Sequence, residues 1–463
     1  MLKEAMMTHI KDKDMENLKT LLATAEELEI LDAFYDLTSE EQVIVFRLLA
    51  KDHALRIFEE LDTDEQQNLL RSFTDERAIE LVNEMAPDDR VRLLDELPAS
   101  VAKKLINSLS PDEREVTNVL MGYKPETAGR VMTTEYISLK RDMTVEQALE
   151  KVSAQAEDKE TVYTLFVTDD AQKLEGILTL KGLLIARGAS GTTIGKTDGN
   201  TLVGSIMSQN AISVTTDADQ EKVAHILQEL DLLALPVVDK EGRMVGIVTI
   251  DDAVDILEEE ATEDIYDAAG LADITGNEAD RSEVLVNGNL WRIWMVRLPI
   301  LLITLLFALF SGVVINEFED TLESIPAVAI FIPLLMGMSG NVGTQSSTVF
   351  ARGVVLGHIQ INSFFKHFFK EIGVGFSIGL VLGVATGFIA AIWQGMPMLG
   401  LAVGLALIVA MTLAALLGFL VPFVLIKLNV DQAAGSAPII TSIKDIAGLL
   451  IYFMFVSVFL GIG

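Results

Sequence analysis

Cysteine is absent from all 463 positions of the sequence, which excludes disulfide bonds, thiolate metal sites and cysteine nucleophiles together. Histidine is scarce, with five in the chain, and the zinc-protease pattern H-E-x-x-H does not occur. His358 is followed by Ile and Gln, and His367 stands in KHFFKE. Five scattered histidines do not assemble a convincing catalytic site. We therefore expect a protein that is not an enzyme.

Basic residues are few relative to acidic ones, 35 against 67, and the formal net charge is −32. Only seven acidic and seven basic residues follow Leu290, so the whole surplus lies before it. A surplus of this size repels nucleic acid and anionic lipid headgroups, which leaves cations as the natural counter-charge. The first nineteen residues contain no apolar run typical of a signal peptide, so we expect the N-terminus to stay in the cytoplasm.

A twelve-residue repeat of apolar positions marks the first part of the chain. Most of these positions open a turn-and-helix unit; in LDTDEQQNLL and MAPDDRVRLL, acidic first-turn residues and then a leucine pair follow, a pattern typical of a helix start. Short helices of constant period stack into a superhelix, and an ordinary helical bundle is the alternative. The repeated positions are Leu37, Leu49, Leu61, Phe73, Met85, Leu97 and Leu109.

Two similar units follow from about Val131. Both contain a short strand ending in ISL or ISV, a helical run, an apolar strand (TLFVT or ALPVV) and a strand with GILTL or GIVTI. The shared order predicts a tandem duplication of a β-α-β-β-α unit.

Five apolar runs after Leu290 are each long enough to cross about 30 Å of hydrocarbon. Basic residues stand at the start of the first run and occupy the loops after the second and fourth, whereas the loop after the first reads NEFEDTLE, with no basic residue. This asymmetry predicts a cytoplasmic N-terminal half and an extracytoplasmic C-terminus. The runs cover residues 294–315, 325–349, 372–393, 399–426 and 434–462.

Polar residues inside two of these runs are functional candidates, because they are costly in hydrocarbon. Asn341, Gln345 and Thr348 share one face of the second run. In the fifth, Asp431 and Asp445 flank Pro438, and Thr441 lies one turn before Asp445. Oxygen ligands beside small residues favour a pore for a hard cation. The alternative is that the amides and hydroxyls join helices by hydrogen bonds.

The chain resembles the MgtE family of magnesium channels over nearly its full length. The resemblance rests on PETAGRVMTTEYISL, DLLALPVVDKEGRMVGIVTIDDAVDILEEEATEDI, SGNVGTQSS and the stretch ending in Asp445. It implies a multidomain membrane protein with an all-α superhelical N-terminal domain, an α/β tandem CBS pair, a connecting plug helix and five transmembrane helices. The expected boundaries are 1–130, 131–198, 199–260, 261–290 and 291–463.

The resemblance also implies roles for individual residues. Asp445 matches the pore carboxylate, which faces a second copy of the chain in a homodimer and holds a hydrated magnesium ion. Asn341 matches a polar position beside it, and we add Gln345 and Thr441 as pore candidates from their spacing. The positions implied for regulatory magnesium are Asp88, Asp89, Asp95, Asp219, Glu221, Asp231, Asp252, Asp255, Glu260, Glu263 and Asp264. A solvated acidic face is the alternative for the latter.

Nucleotide binding is a further alternative for the second CBS unit. CBS units often hold adenine nucleotides through Thr or Ser and an Asp three residues later, and Thr249 and Asp252 fit that pattern. In the first unit Gly182 replaces the acid. Thr249 could instead be a helix cap alone, so ATP as a ligand stays open beside magnesium.

The leading hypothesis is a homodimeric magnesium channel in the bacterial plasma membrane that closes when cytoplasmic magnesium is high. Its partners are divalent cations and the lipid bilayer. The alternatives are a CBS-regulated transporter for another substrate such as Mn²⁺ or Co²⁺, and a non-conducting membrane sensor. An intramembrane enzyme is the fourth, disfavoured by the histidine pattern.

Overall fold

A computed structural model describes the chain except residues 1, 13, 62, 73–74, 158, 189–200, 272–277, 356, 429–435 and 462–463. The chain divides into two compact units, Met1–Glu258 and Glu259–Gly463. Each is described by itself below.

In the part of the first unit that the structure describes, the chain begins with ten short helices whose spacing confirms the sequence repeat. From the fourth to the tenth, a helix begins every twelve residues. The predicted apolar position lies two residues before each start, and Leu37, Leu61 and Met85 are all buried there; Phe73 lies outside the described residues. The helices are α1 Leu2–Lys11, α2 Met15–Thr24, α3 Glu27–Phe34, α4 Ser39–Leu48, α5 Lys51–Glu59, α6 Thr63–Ser72, α7 Asp75–Glu84, α8 Pro87–Glu96, α9 Ala99–Ser108 and α10 Pro111–Met121.

Two three-stranded sheets of identical topology follow, which confirms the tandem α/β pair. In each, the first strand pairs parallel with the second, and the second pairs antiparallel with the third. The α/β unit around the first sheet contains α11 Ala128–Val131, β1 Ser138–Leu139, α12 Val145–Gln155, β2 Thr164–Thr168, β3 Leu174–Thr179 and α13 Leu180–Gly188. The second contains β4 Val214–Thr215, α14 Gln220–Glu229, β5 Ala234–Val238, β6 Met244–Thr249 and α15 Ile250–Ala268.

The two α/β units exchange their N-terminal segments. Thr133 pairs with Ile247 of the second unit, and Ser208 pairs with Ile177 of the first, each through two backbone hydrogen bonds of 2.8–2.9 Å. A glycine precedes each paired sheet residue, Gly246 before Ile247 and Gly176 before Ile177. It allows the two backbones to approach, because a Cβ on Gly246 would lie 2.7 Å from Thr133 O. The units therefore form one interlocked pair.

Among the described residues of the second unit, five helices are long and apolar enough to cross a membrane. The predicted connecting helix is split: α15 continues to Ala268, and a left-handed Gly270 precedes the next helix. The remaining helices are α16 Glu278–Val286, α17 Leu290–Glu317, α18 Glu319–Ser324, α19 Ala327–Val355, α20 Phe364–Gln394, α21 Pro397–Lys427 and α22 Ser436–Leu460. The candidate spans are α17, α19, α20, α21 and α22, the last from Ile440.

Small residues allow the backbones of α20 and α21 to lie in direct contact. A Cβ on Gly387 would lie 2.6 Å from Gly400 O, and one on Gly404 would lie 2.7 Å from Gly383 O. Such contacts are typical of helix packing in lipid, where close backbones supply dispersion energy. Helix α21 contributes the largest share of the buried core, against which α19 and α22 pack.

Candidate functional site

Two helix starts bring acidic side chains together in the first unit. Helix α8 begins with Pro87 and carries Asp88 and Asp89 in its first turn, and α15 carries Asp251 and Asp252 in its first turn. Carboxylates at these positions are favoured by the helix dipole, which explains the local sequence. The side chains of the two helix starts interact electrostatically, and we call them, with Glu59, Glu135, Glu160 and Asp255, the acidic cluster.

Burial and mutual repulsion raise the pKa values in this cluster. Burial, then the charges of Asp252 and Asp89, raise the pKa of Asp88 well above its usual range. Burial raises the pKa of Asp252 to about 7 although it accepts a hydrogen bond from Thr249. Burial likewise raises the pKa of Glu59 to about 7, against a hydrogen bond from Ala86 N–H. These carboxylates lack sufficient positive charge around them.

One carboxylate oxygen is also unpaired. In the described part of the chain, Asp88 Oδ1 is shielded from solvent and has no hydrogen-bond partner. An uncompensated buried carboxylate is costly, so the position favours a proton or a cation. No three His, Asp or Glu side chains among the described residues are arranged to hold one metal ion directly. A cation here would therefore be held through its water shell or after side-chain rotation.

Sequence reasoning missed part of the cluster. Glu59 ends the fifth superhelix segment, while Glu135 and Glu160 belong to the first CBS unit. Nothing in their local sequence separates them from other surface acids. Only the packing of these segments brings them near Asp88 and Asp89.

Other predicted regulatory residues have different surroundings. Asp95 forms a two-pronged ion pair with Arg130, at 2.8 Å to Nε and 2.6 Å to Nη2. Asp219 caps α14 by accepting from Glu221 N–H at 3.0 Å, and Asp231 has a left-handed backbone just after that helix. The contacts of Asp95 and Asp219 account for these two side chains without a metal.

Three more predicted residues belong to the second unit. Glu260, Glu263 and Asp264 are half-buried on the C-terminal part of α15. They continue the acidic helix that Asp252 and Asp255 begin.

The predicted nucleotide residues are adjacent in space. Thr249 is buried at the end of β6, and its hydroxyl donates a 2.5 Å hydrogen bond to Asp252 Oδ2 at the start of α15. The arrangement serves as a local contact at the helix start and also places a hydroxyl beside a carboxylate. It is compatible with both alternatives from the sequence.

A cavity of 820 Å³ lies among the membrane helices of the second unit. Asp445 and Thr441 of α22 both line it, opposite Thr304 and Ser311 of α17. Asp445 Oδ1 is shielded from solvent and, among the described residues, has no hydrogen-bond partner. The cavity thus contains a carboxylate in an otherwise mainly apolar wall. Asp431, the other acid of this stretch, lies outside the described residues.

The end of the connecting segment closes on the same cavity. Ala268 lines it, and a Cβ on Gly270 would lie 2.9 Å from Pro438 Cγ. Arg281 holds this turn: it is fully buried, pairs with Asp267 at 2.6 Å and stacks over Tyr266.

Asn341 and Gln345 lie elsewhere. Neither is among the residues that line the cavity; both are exposed on one face of α19, with Thr344 and Thr348. The opposite face of α19 is buried and carries Ser346, which donates a 2.7 Å hydrogen bond to Glu371 of α20. The polar face of α19 is therefore uncovered within a single chain.

The fold, the five candidate spans and the carboxylate in the membrane cavity define a multi-pass membrane protein of the transporter class with a CBS-containing soluble region. Three family descriptions match the chain: the MgtE divalent cation transporter region over 332–455, the MgtE intracellular N domain over 25–126, and the CBS domain over 128–188 and 203–259.

Curated relatives and solved structures agree. The magnesium transporter MgtE of Thermus thermophilus is 35% identical over 342 residues, 73% of this chain and 71% of the relative, and that of Bacillus subtilis is 32% identical over 75% and 72%. A crystal structure of the cytosolic domain of the Mg²⁺ channel MgtE in complex with ATP superposes with a TM-score of 0.51 at 31% identity, covering 55% of this chain and all of that one. The chain belongs to the MgtE family of divalent cation transporters.

Proposed function

We propose that this protein is a magnesium channel that takes up Mg²⁺ and closes when cytoplasmic Mg²⁺ is high. The observation that carries the proposal is the carboxylate of Asp445 in the membrane cavity, with the hydroxyl of Thr441 one turn away. Magnesium retains several waters and is bound through one or two carboxylates, which suits so sparse a ligand set. The relatives named above are magnesium transporters.

The pore is completed by a second copy of the chain in a homodimer. The uncovered polar face of α19, with Asn341 and Gln345, supports this assembly, because polar side chains in a membrane span face other helices rather than lipid. In this arrangement Asn341 and Gln345 contribute to the ion path from the interface. The protein lies in a bacterial plasma membrane with its N-terminus in the cytoplasm, as the positions of the basic loops indicate.

The acidic cluster and the acidic part of α15 form the magnesium sensor. Two like charges about 4 Å apart repel by roughly 4 kcal/mol at an effective dielectric of about 20. Shifting a two-state equilibrium from 1:99 to 99:1 takes about 5.5 kcal/mol, so a few shared ions suffice. Bound magnesium orders α8 and the start of α15, and α15 continues to Ala268 at the cavity.

Adenine nucleotide is a second ligand of the soluble region. The hydroxyl of Thr249 beside the carboxylate of Asp252 supports it, together with the ATP-bound relative. Because Asp252 belongs to the acidic cluster as well, nucleotide and magnesium would influence each other there.

Cation uptake into proteoliposomes, with internal magnesium varied, tests both parts of the proposal. Proteoliposomes with wild-type protein are expected to take up Mg²⁺, and the rate of uptake is expected to fall as internal Mg²⁺ rises. Uptake that prefers Mn²⁺ or Co²⁺ would identify another divalent cation as the substrate, and no uptake of any of them would leave a non-conducting sensor.

Neutralising the sensor tests the regulatory part separately. The variant Asp252→Asn, Asp255→Asn, Glu260→Gln and Glu263→Gln is expected to flatten the dependence on internal Mg²⁺, because repulsion and cation sites vanish together. The matched control changes four exposed acids outside the cluster, Asp112→Asn, Asp142→Asn, Glu115→Gln and Glu150→Gln. Equal magnesium midpoints in wild type and the first variant would show that this segment is not the sensor.

A further inference from the structure

A positive side chain already bridges the acidic cluster. Arg92, one turn after Asp89 on α8, donates from Nη2 to Asp89 Oδ1 at 3.0 Å. Its other terminal nitrogen, Nη1, donates to Asp255 Oδ2 on α15 at 3.3 Å. One guanidinium therefore joins the superhelix to the helix that closes the second CBS unit.

The position of this bridge is the one expected of a regulatory cation. Asp89 and Asp255 were both predicted as magnesium ligands, and one carboxylate oxygen of each accepts a hydrogen bond from Arg92. Its charge also acts beyond its two partners, since it opposes the effect of burial on Asp252. The guanidinium cannot be deprotonated in a protein, so its charge is permanent.

The bridge is weak enough to be displaced. The side chain of Arg92 is 42% exposed and that of Asp255 is 59% exposed. Ion pairs of this exposure contribute little to stability, because water screens them and two long side chains lose freedom. A divalent ion carries twice the charge and needs no tether, so it can replace the guanidinium at the two carboxylates.

We propose that Arg92 is a built-in competitor of the divalent cation at Asp89 and Asp255 and sets the concentration at which the acidic cluster binds it. The inference rests on the proposed regulation by magnesium. Arg92 supplies one fixed positive charge to the cluster, so magnesium must displace it before it can bind both carboxylates.

The simpler alternative gives the opposite sign. If the Arg92 bridge only fastened α8 to α15, its loss would weaken the ordered state, and more magnesium would be needed to restore it. If Arg92 competes, its loss leaves a more negative site, and less magnesium is needed. The direction of the midpoint shift therefore separates the two.

The test is resistance of the soluble half to limited proteolysis in the full-length protein, titrated with MgCl₂. For R92Q we expect the magnesium midpoint to fall about two- to fivefold, the range expected for a partly exposed ion pair. R92K keeps the charge but cannot contact both carboxylates with two separate nitrogens. Its magnesium midpoint is expected to lie between those of wild type and R92Q. The control R187Q removes an exposed arginine that pairs with Glu146 in the first CBS unit, and its midpoint should equal that of wild type.

An unchanged or higher midpoint in R92Q overturns the inference, as does a higher midpoint in R92K. If circular dichroism shows that R92Q is poorly folded, the shift of the magnesium midpoint in R92K alone decides between competition and fastening. Failure of the proposed function gives a different result, because wild-type protein itself would then show no magnesium-dependent protection.

Discussion

Adjacent residues of α22 have opposite surroundings. Asp445 lines the membrane cavity, whereas Lys444 is 2% exposed and packs against the glycines of α19, with Nζ 3.2 Å from the position of a Cβ on Gly340. Consecutive helical residues point about 100° apart, so the two charges serve different surfaces. In the described part of the chain, Lys444 Nζ has no hydrogen-bond partner. Its methylenes fill the space that Gly340 and Gly343 leave.

Replacing Asp445 is expected to stop ion passage. Asp445→Asn keeps the size of the side chain and removes its charge, so magnesium uptake should fall to the level of empty liposomes while the protein stays folded. The measurement is uptake by proteoliposomes, with thermal unfolding as a check. Asp320→Asn, an exposed acid just after α17, is the control. Wild-type uptake by Asp445→Asn would exclude Asp445 from the pore.

At the scale of secondary-structure elements, the exchange between the CBS units depends on close backbone approach. The segment around Thr133 lies directly over Gly246 of β6, and the segment around Ser208 lies over Gly176 of β3. A side chain at either glycine would separate the pairing strands. The interlocked pair in turn fixes the start of α15 relative to α8, and with it the acidic cluster.

Gly246→Ala is expected to destabilise the soluble half. The new Cβ would lie 2.6 Å from Met132 Sδ and 2.7 Å from Thr133 O, and overpacking of this kind costs about 1–3 kcal/mol. Limited proteolysis at rising temperature should show degradation of the soluble half at a lower temperature. Gly182→Ala is the matched control, since its Cβ would meet no backbone atom but the side-chain end of Leu178 at 3.1 Å and Thr179 Oγ1 at 3.4 Å. Equal behaviour of both variants would show that the exchanged pairing tolerates a side chain.

At the scale of the whole molecule, charge is segregated. The formal charge of −32 lies before Leu290, while the membrane helices are balanced. Among the described carboxylates, burial raises the pKa values of Glu59 and Asp252 to about 7. At these two side chains the folded protein therefore binds more protons than the unfolded chain between about pH 4 and about pH 7.

Stability without divalent cations is expected to fall as pH rises through this window. A carboxylate with a raised folded-state pKa carries no penalty below pH 4, when it is protonated in both states, and the full penalty above pH 7. Thermal unfolding in EDTA, followed by circular dichroism, should give a decreasing midpoint from about pH 4 to about pH 7. Saturating Mg²⁺ should reduce the slope.

The variant Glu59→Gln with Asp252→Asn removes two of the titrating groups and serves as the comparison. Its slope in EDTA should be smaller than that of wild type. The same slope in both would mean that these two carboxylates do not titrate as their burial indicates.

The sequence by itself determined the elements and their order. The twelve-residue repeat predicted a series of short helices of constant spacing, which begin at Ser39, Lys51 and every twelfth residue to Pro111, and the duplicated pattern predicted both α/β units. The five crossings followed from length and hydropathy. These features are local, because each depends on the period of apolar residues within one segment.

The tertiary structure alone decided which side chains meet. Glu59, Glu135 and Glu160 join Asp88 and Asp252 only because the N-terminal helices, the first CBS unit and the start of α15 pack together. Likewise, Arg92 reaches Asp255, 163 positions away, although nothing in either local pattern pairs them. Sequence spacing predicts the face of a helix on which a carboxylate lies, whereas its pKa and its partner depend on what the fold places opposite that face.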